Sequence, residues 1–289
     1  MELTATQVDW ILILAGLLVW AKLLTFYASR RHYLKIDPQP QTAAIQFGVE
    51  AILIVFILFL LSGQLIQQFL EKFLVTTGLN DLSRQMLADT AAKLVAGTGI
   101  IYLLSRFAKT KALFGEPSPS DHSFWTNIPR WVKVILISVI VYLAIYPLVN
   151  VLLLSAGIIF FQKVLHLTVP ESHQAFQLLS DKNVPLFVKA DGVLLAAIVS
   201  PIIEELFFRG LVQNYLYKLF CRPMIAIMVT SIFFMLVHYP LLQQMPALWM
   251  LGVILGWSYY RYRTLTVPML IHVIFNSVSL ALWWLGGIG

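Results

Sequence analysis

The sequence predicts an all-α fold: a polytopic membrane helical bundle of about eight transmembrane helices. Of its 289 residues, 59% are hydrophobic and 12% charged, and the mean hydropathy is +0.81. A soluble domain carries roughly 25% charged residues. A chain this poor in charge cannot cover its surface against water, so the bilayer must solvate much of it. Apolar runs of about 20 residues, the length a helix needs to cross, recur along the chain with basic residues in the loops between them.

The runs fall at about 9–28, 47–70, 87–107, 131–162, 190–219, 223–239, 246–260 and 265–285. The first follows Met-Glu-Leu-Thr with no basic n-region and reads as a retained span rather than a cleaved signal. The fourth carries Pro147 and Asn150 near its middle, which leaves open one kinked helix or two short passes. Pro246 and Gly252 weaken the short seventh run, although its Gly252-x-x-x-Gly256 spacing allows close helix contact. The stretch 115–123, with Pro117, Pro119 and three serines, is a linker. The long polar connection at 163–189 is either a surface loop or an amphipathic, lid-like segment at the interface. The organisation expected is therefore N-terminal transmembrane helices over 1–162, the lid-like loop over 163–189 and a catalytic helical core over 190–289.

With the N-terminus outside, the inner loops hold most of the basic residues, including Arg30, Arg31, Lys35, Lys109, Lys111, Arg222, Arg261 and Arg263. That is the positive-inside pattern. The net charge of +6 thus reflects topology and not nucleic-acid binding. A single cysteine, Cys221, excludes an intrachain disulfide, and its place at a predicted helix end suits a small apolar residue better than a nucleophile.

The chemistry is concentrated in the C-terminal third. The fifth run reads Ser200-Pro-Ile-Ile-Glu204-Glu205-Leu-Phe-Phe-Arg209. Each charge at the bilayer centre costs on the order of 2.5–3.5 kcal/mol on insertion scales, so it needs a partner or a wet cavity. Glu205 and Arg209 are four apart, acid first, and can neutralise each other on one helical face. Glu204 lies about 100° round the helix with no opposite charge four residues away. It is free to act as a general base. The sixth run ends Phe233-Phe234-Met-Leu-Val-His238, and the eighth holds His272-Val-Ile-Phe-Asn276. Counting 1.5 Å per residue from the span ends puts Glu204 and His238 roughly 22 Å deep, Asn276 about 17 Å and His272 about 10 Å. The four can meet near mid-membrane.

Glu-Glu-x-x-x-Arg, Phe-x-x-x-His and His-x-x-x-Asn, in that order and each in an apolar helix, resemble the CAAX protease and bacteriocin-processing (CPBP) family of intramembrane proteases, whose members include the Ras-converting CAAX endopeptidases. The resemblance covers about residues 190–285. It implies that Glu204 activates the attacking water, that His238 assists, and that His272 and Asn276 hold the oxyanion. It implies structural support from Glu205, Arg209 and Phe234. The substrate implied is a membrane-embedded or lipidated peptide, with no nucleic acid. The expected location is the bilayer of a bacterial inner membrane.

Zinc is the open cofactor question, since His238 and His272 are candidate ligands. No His-Glu-x-x-His is present, and the balance falls slightly against a tightly bound metal. Two other classes compete: a transporter using Glu204, Glu205 and the histidines for protons or a cation, and a non-catalytic bacteriocin-immunity scaffold, which would not need all four residues together.

Overall fold

The computed structural model describes residues 4–29, 65–107 except 67 and 71, 113–114, 128–167, 174–239 and 241–286. Helix is the only regular structure among them, as a backbone without water requires, because a helix satisfies its polar groups within one segment. The helices are α1 (Ala5–Ser29), α2 (Asp81–Phe107), α3 (Arg130–Val164), α4 (Gln174–Ser180), α5 (Leu186–Phe220), α6 (Pro223–Leu236), α7 (Met245–Tyr262) and α8 (Thr266–Trp284). Helices α3, α5, α8 and most of α2 are long and apolar enough to cross a membrane. The chain is an integral membrane protein with an all-α bundle. Large apolar side chains such as Trp10, Leu14, Ile135 and Phe233 stand exposed on its outer faces, which is stable only where lipid is the solvent. The predicted span at 47–70 lies almost wholly, and the linker at 115–123 wholly, outside the described residues.

The fourth predicted run is one helix of 35 residues, not two passes. Pro147 sits inside it because the turns from Pro147 to Leu153 are π-helical; such widened turns absorb a residue that cannot donate its backbone hydrogen bond. The same device recurs in α5, where a π-helical stretch at Leu195–Val199 stands directly before Pro201. A single α3 also makes α2 and α5 parallel. The contacts run in that order: Thr90 Oγ1 donates to Asp191 Oδ2 at 2.7 Å, Gly97 abuts Ile203, and Gly210 meets Leu104.

One prediction is corrected. The sixth helix ends at Leu236, and His238 lies in the turn beyond it rather than on the helix. The seventh run, predicted to be short, is a full 18-residue helix. Its two glycines explain how closely it packs: a Cβ on Gly252 would stand 3.1 Å from Ser231 Cβ of α6, and one on Gly256 only 2.7 Å from Gln213 Oε1 of α5. The region 163–189 is partly helical; Leu178 of α4 is fully buried against Gly192 of α5.

Candidate active site

Two consecutive carboxylates on α5 face different surroundings. Glu205 is completely buried, and its Oε1 accepts from Arg209 Nη1 at 2.7 Å and from His272 Nδ1 at 2.9 Å. Arg209, also fully buried, donates from Nη2 to the Gly252 carbonyl at 3.1 Å. Gln213, one turn on, repeats the contact, donating from Nε2 to the Gly256 carbonyl at 3.0 Å. Arg209 and Gln213 are thus four apart on α5, as Gly252 and Gly256 are on α7, and the missing Cβ atoms let the donors reach the backbone. Asn214 Nδ2 closes the layer on the Arg209 and Gly210 carbonyls and on the Tyr259 hydroxyl. The predicted Glu205–Arg209 pairing holds. Its extension to His272 and α7 needed tertiary structure.

Glu204 points the other way. Its side chain keeps 24% of its exposure, and its Oε2 lies 3.9 Å from His238 Nε2 and 3.9 Å from His272 Nε2, with no hydrogen-bond partner in the protein. The tautomers follow from the far sides of the rings. His238 Nδ1 is 2.7 Å from the Phe234 carbonyl, which can only accept, so that nitrogen carries the proton. His272 Nδ1 donates likewise to Glu205. In the neutral imidazoles both Nε2 atoms therefore present lone pairs toward Glu204. Three acceptor atoms gather with no donor among them.

Phe234 holds this arrangement from beneath. Its ring is wholly buried, with centroids 4.8 Å from His238, 5.7 Å from His272 and 5.2 Å from Phe208, and the Arg209 guanidinium carbon lies 4.8 Å over its face. It also supplies the carbonyl that fixes His238. Asn276 lines the same cavity as Glu204 and both histidines, and its Nδ2 donates to the Ala196 carbonyl at 2.9 Å. That carbonyl belongs to the π-helical stretch of α5. Its amide keeps a second N–H.

The cavity holds about 640 Å³ and takes walls from α2, α3 and α7 as well as α5 and α8. Phe176 of α4 lines it, stacked on Trp283 of α8 with centroids 4.9 Å apart. Ser200 also lines it, and its buried Oγ has no hydrogen-bond partner. Sequence reading passed over Ser200, though its place one turn before Glu204 was a signal. Cys221, by contrast, is exposed and caps α5 in a left-handed conformation (φ 52°), remote in role from the cavity. Among the described residues, no group of three or more His, Cys, Asp or Glu side chains is arranged to hold a metal ion. His238 and His272 share only Glu204, and His272 Nδ1 is already committed to Glu205.

Residues 189–278 match the family model for Rce1-like proteins, described as type II CAAX prenyl endopeptidase Rce1-like. That segment is similar to the CAAX protease family which the three motifs resemble, a family of endopeptidases. The match is confined to about a third of the chain, from α5 into α8, and contains all four candidate residues. No curated protein and no solved structure matches.

Proposed function

We propose that this protein is an intramembrane endopeptidase that cleaves a membrane-associated, prenylated or otherwise lipidated peptide with a water activated by Glu204 and His238. The observation that carries the reading is Glu204 Oε2, which has no hydrogen-bond partner and stands 3.9 Å from His238 Nε2, the free nitrogen of a ring pinned at its other nitrogen. A water donates two hydrogen bonds, and contacts of ~2.8 Å to two such acceptors fit that separation.

In this reading Glu204 and His238 hold the nucleophilic water by its two protons. As its oxygen attacks the scissile carbonyl, one proton passes to Glu204. The oxyanion accepts from the second N–H of Asn276 and from His272 Nε2. That last contact requires His272 to be doubly protonated, with the buried Glu205 carboxylate accepting from its Nδ1 and balancing the imidazolium. Glu204 then returns its proton to the leaving amine as the C–N bond breaks. The buried pair Glu205–Arg209 orients His272, so it supports the reaction without touching substrate.

The organisation 1–162, 163–189 and 190–289 accompanies this reading: the third segment supplies the reacting groups, the first supplies cavity walls, and Phe176 of the middle segment covers one side. A bacterial inner membrane is the location we favour. The test is full-length protein in liposomes with a quenched, farnesylated peptide that ends in a Cys-aliphatic-aliphatic-X sequence. Cleavage by the wild type, lost in Glu204→Gln and kept after exhaustive chelation, is the expected result. Loss on chelation, with recovery at one zinc per protein, would overturn the metal-free chemistry.

A further inference from the structure

Outside the reacting cluster, the cavity has a second polar feature that the proposed reaction does not use. Asp89 and Lys93 of α2 both line it, and Lys93 Nζ donates to Asp89 Oδ2 at 2.9 Å. Lys93 is the only lysine or arginine among the described residues that line the cavity. An ammonium has three N–H donors. One goes to Asp89, which holds the side chain in place, and two remain for a ligand.

The position relative to Glu204 follows from the packing of the helices. Gly97 abuts Ile203, the neighbour of Glu204, and Lys93 lies one turn before Gly97, roughly 6 Å along α2. Helices α2 and α5 are parallel, so the line Gly97, Lys93, Asp89 runs beside the line Glu204, Ser200, Ala196. Glu204, Ser200, Ala196, Lys93 and Asp89 all face the one cavity. A peptide laid between the two lines, with its scissile carbonyl at Glu204, reaches Lys93 within the next few residues, since three extended residues span at most ~10 Å.

We infer that Lys93 is the binding residue for the free α-carboxylate at the C-terminus of the substrate, and that its distance from Glu204 sets how few residues follow the bond that is cut. The inference rests on the endopeptidase reading and names the part of the substrate recognised. A short C-terminal peptide offers an anion at that distance. A cut far inside a chain offers none.

The experiment measures binding apart from cleavage. Full-length Glu204→Gln protein in nanodiscs is titrated with a fluorescent farnesylated Cys-aliphatic-aliphatic-X peptide carrying either a C-terminal acid or a C-terminal amide. The acid should bind roughly ten- to a hundredfold more tightly, the worth of one charge-assisted hydrogen bond. Adding Lys93→Gln should abolish that preference by weakening the acid alone, and Lys93→Arg should keep much of it. If Lys93→Gln misfolds with Asp89 unpaired, the Asp89→Asn/Lys93→Gln protein removes both charges and gives the same reading. Equal binding of acid and amide, or a preference that survives loss of Lys93, overturns the assignment. Parallel cleavage assays on the wild type separate the two claims. Acid-selective binding without cleavage keeps the carboxylate site and sinks the protease.

Discussion

Glu204 and Glu205 are neighbours in sequence, identical in chemistry and opposite in circumstance. Each leaves its Oε2 without a hydrogen-bond partner, but Glu205 is fully buried with its Oε1 held by Arg209 and His272, while Glu204 keeps a quarter of its side-chain exposure and turns its Oε2 toward two imidazoles in the cavity. A rotation of roughly 100° about the helix axis separates a structural carboxylate from a reactive one. A membrane protein can bury charge at all only because partners are supplied, and the Glu205 layer supplies them: Arg209, His272, Phe234 and the bared carbonyls of Gly252 and Gly256. The Glu204 face withholds a partner, so its demand for a proton donor is met by whatever enters the cavity. The comparison predicts that changes on the Glu204 face alter rate and leave folding alone, whereas changes on the Glu205 face act first on folding.

The sharpest test of the first half is Glu204→Gln, which removes the proton acceptor at nearly constant volume. Cleavage should fall by roughly 10²–10⁴-fold or below detection, with the thermal unfolding midpoint unchanged. Activity above about a tenth of wild type would end the assignment. The matching test of the second half is Arg209→Ala. It strips Glu205 of its guanidinium, and breaking a buried pair costs roughly 3–5 kcal/mol. The expected outcome is low yield and early unfolding in detergent. A stable, fully active Arg209→Ala protein would show that the layer does not depend on the pair.

Asn276→Ala belongs to the rate side with a smaller effect. Its Nδ2 bond to the Ala196 carbonyl orients the amide within the cavity. Losing one oxyanion donor slows catalysis by roughly 10²–10³-fold. Single-turnover rates on the lipidated peptide should show that loss, with the KM little altered. A changed KM and unchanged kcat would make Asn276 a ground-state substrate contact instead.

How much of this was legible beforehand depends on the range of each interaction. The Glu205–Arg209 pair, four apart on one helix, follows from helical spacing alone. The convergence of Glu204, His238 and His272 was legible only through span depth and the family resemblance, because three helices must be docked to produce it. The π-helical turns at Pro147–Leu153 and Leu195–Val199 were not legible, since the same apolar residues fit a regular helix; one of those turns supplies the carbonyl that Asn276 uses. His238 was expected on the sixth helix, but that helix ends at Leu236 and the turn sends the ring toward the Phe234 carbonyl. Asp89 and Lys93 were not singled out in the sequence, because an i,i+4 pair gains a role only once α2 is placed as a wall of the cavity.

The smallest expected effect tests the comparison where it is most easily mistaken. Gly252-x-x-x-Gly256 is a common pattern, but here each glycine carbonyl is a rung for a side chain of α5. Gly256→Ala puts a Cβ 2.7 Å from Gln213 Oε1 and 3.1 Å from Ile227 Cγ2. The Gln213 amide can rotate away, but only by giving up its bond to the Gly256 carbonyl in a buried place. Overpacking a core costs typically ~1–3 kcal/mol, and we expect the low end, because one flexible side chain absorbs most of the contact. Gln213 does not line the cavity, so the turnover rate per folded molecule should stay within about twofold of wild type while the unfolding midpoint drops. If Gly256→Ala instead slows cleavage without loss of stability, the two faces of α5 are coupled through α7, and the division drawn between Glu204 and Glu205 does not extend past their own turn.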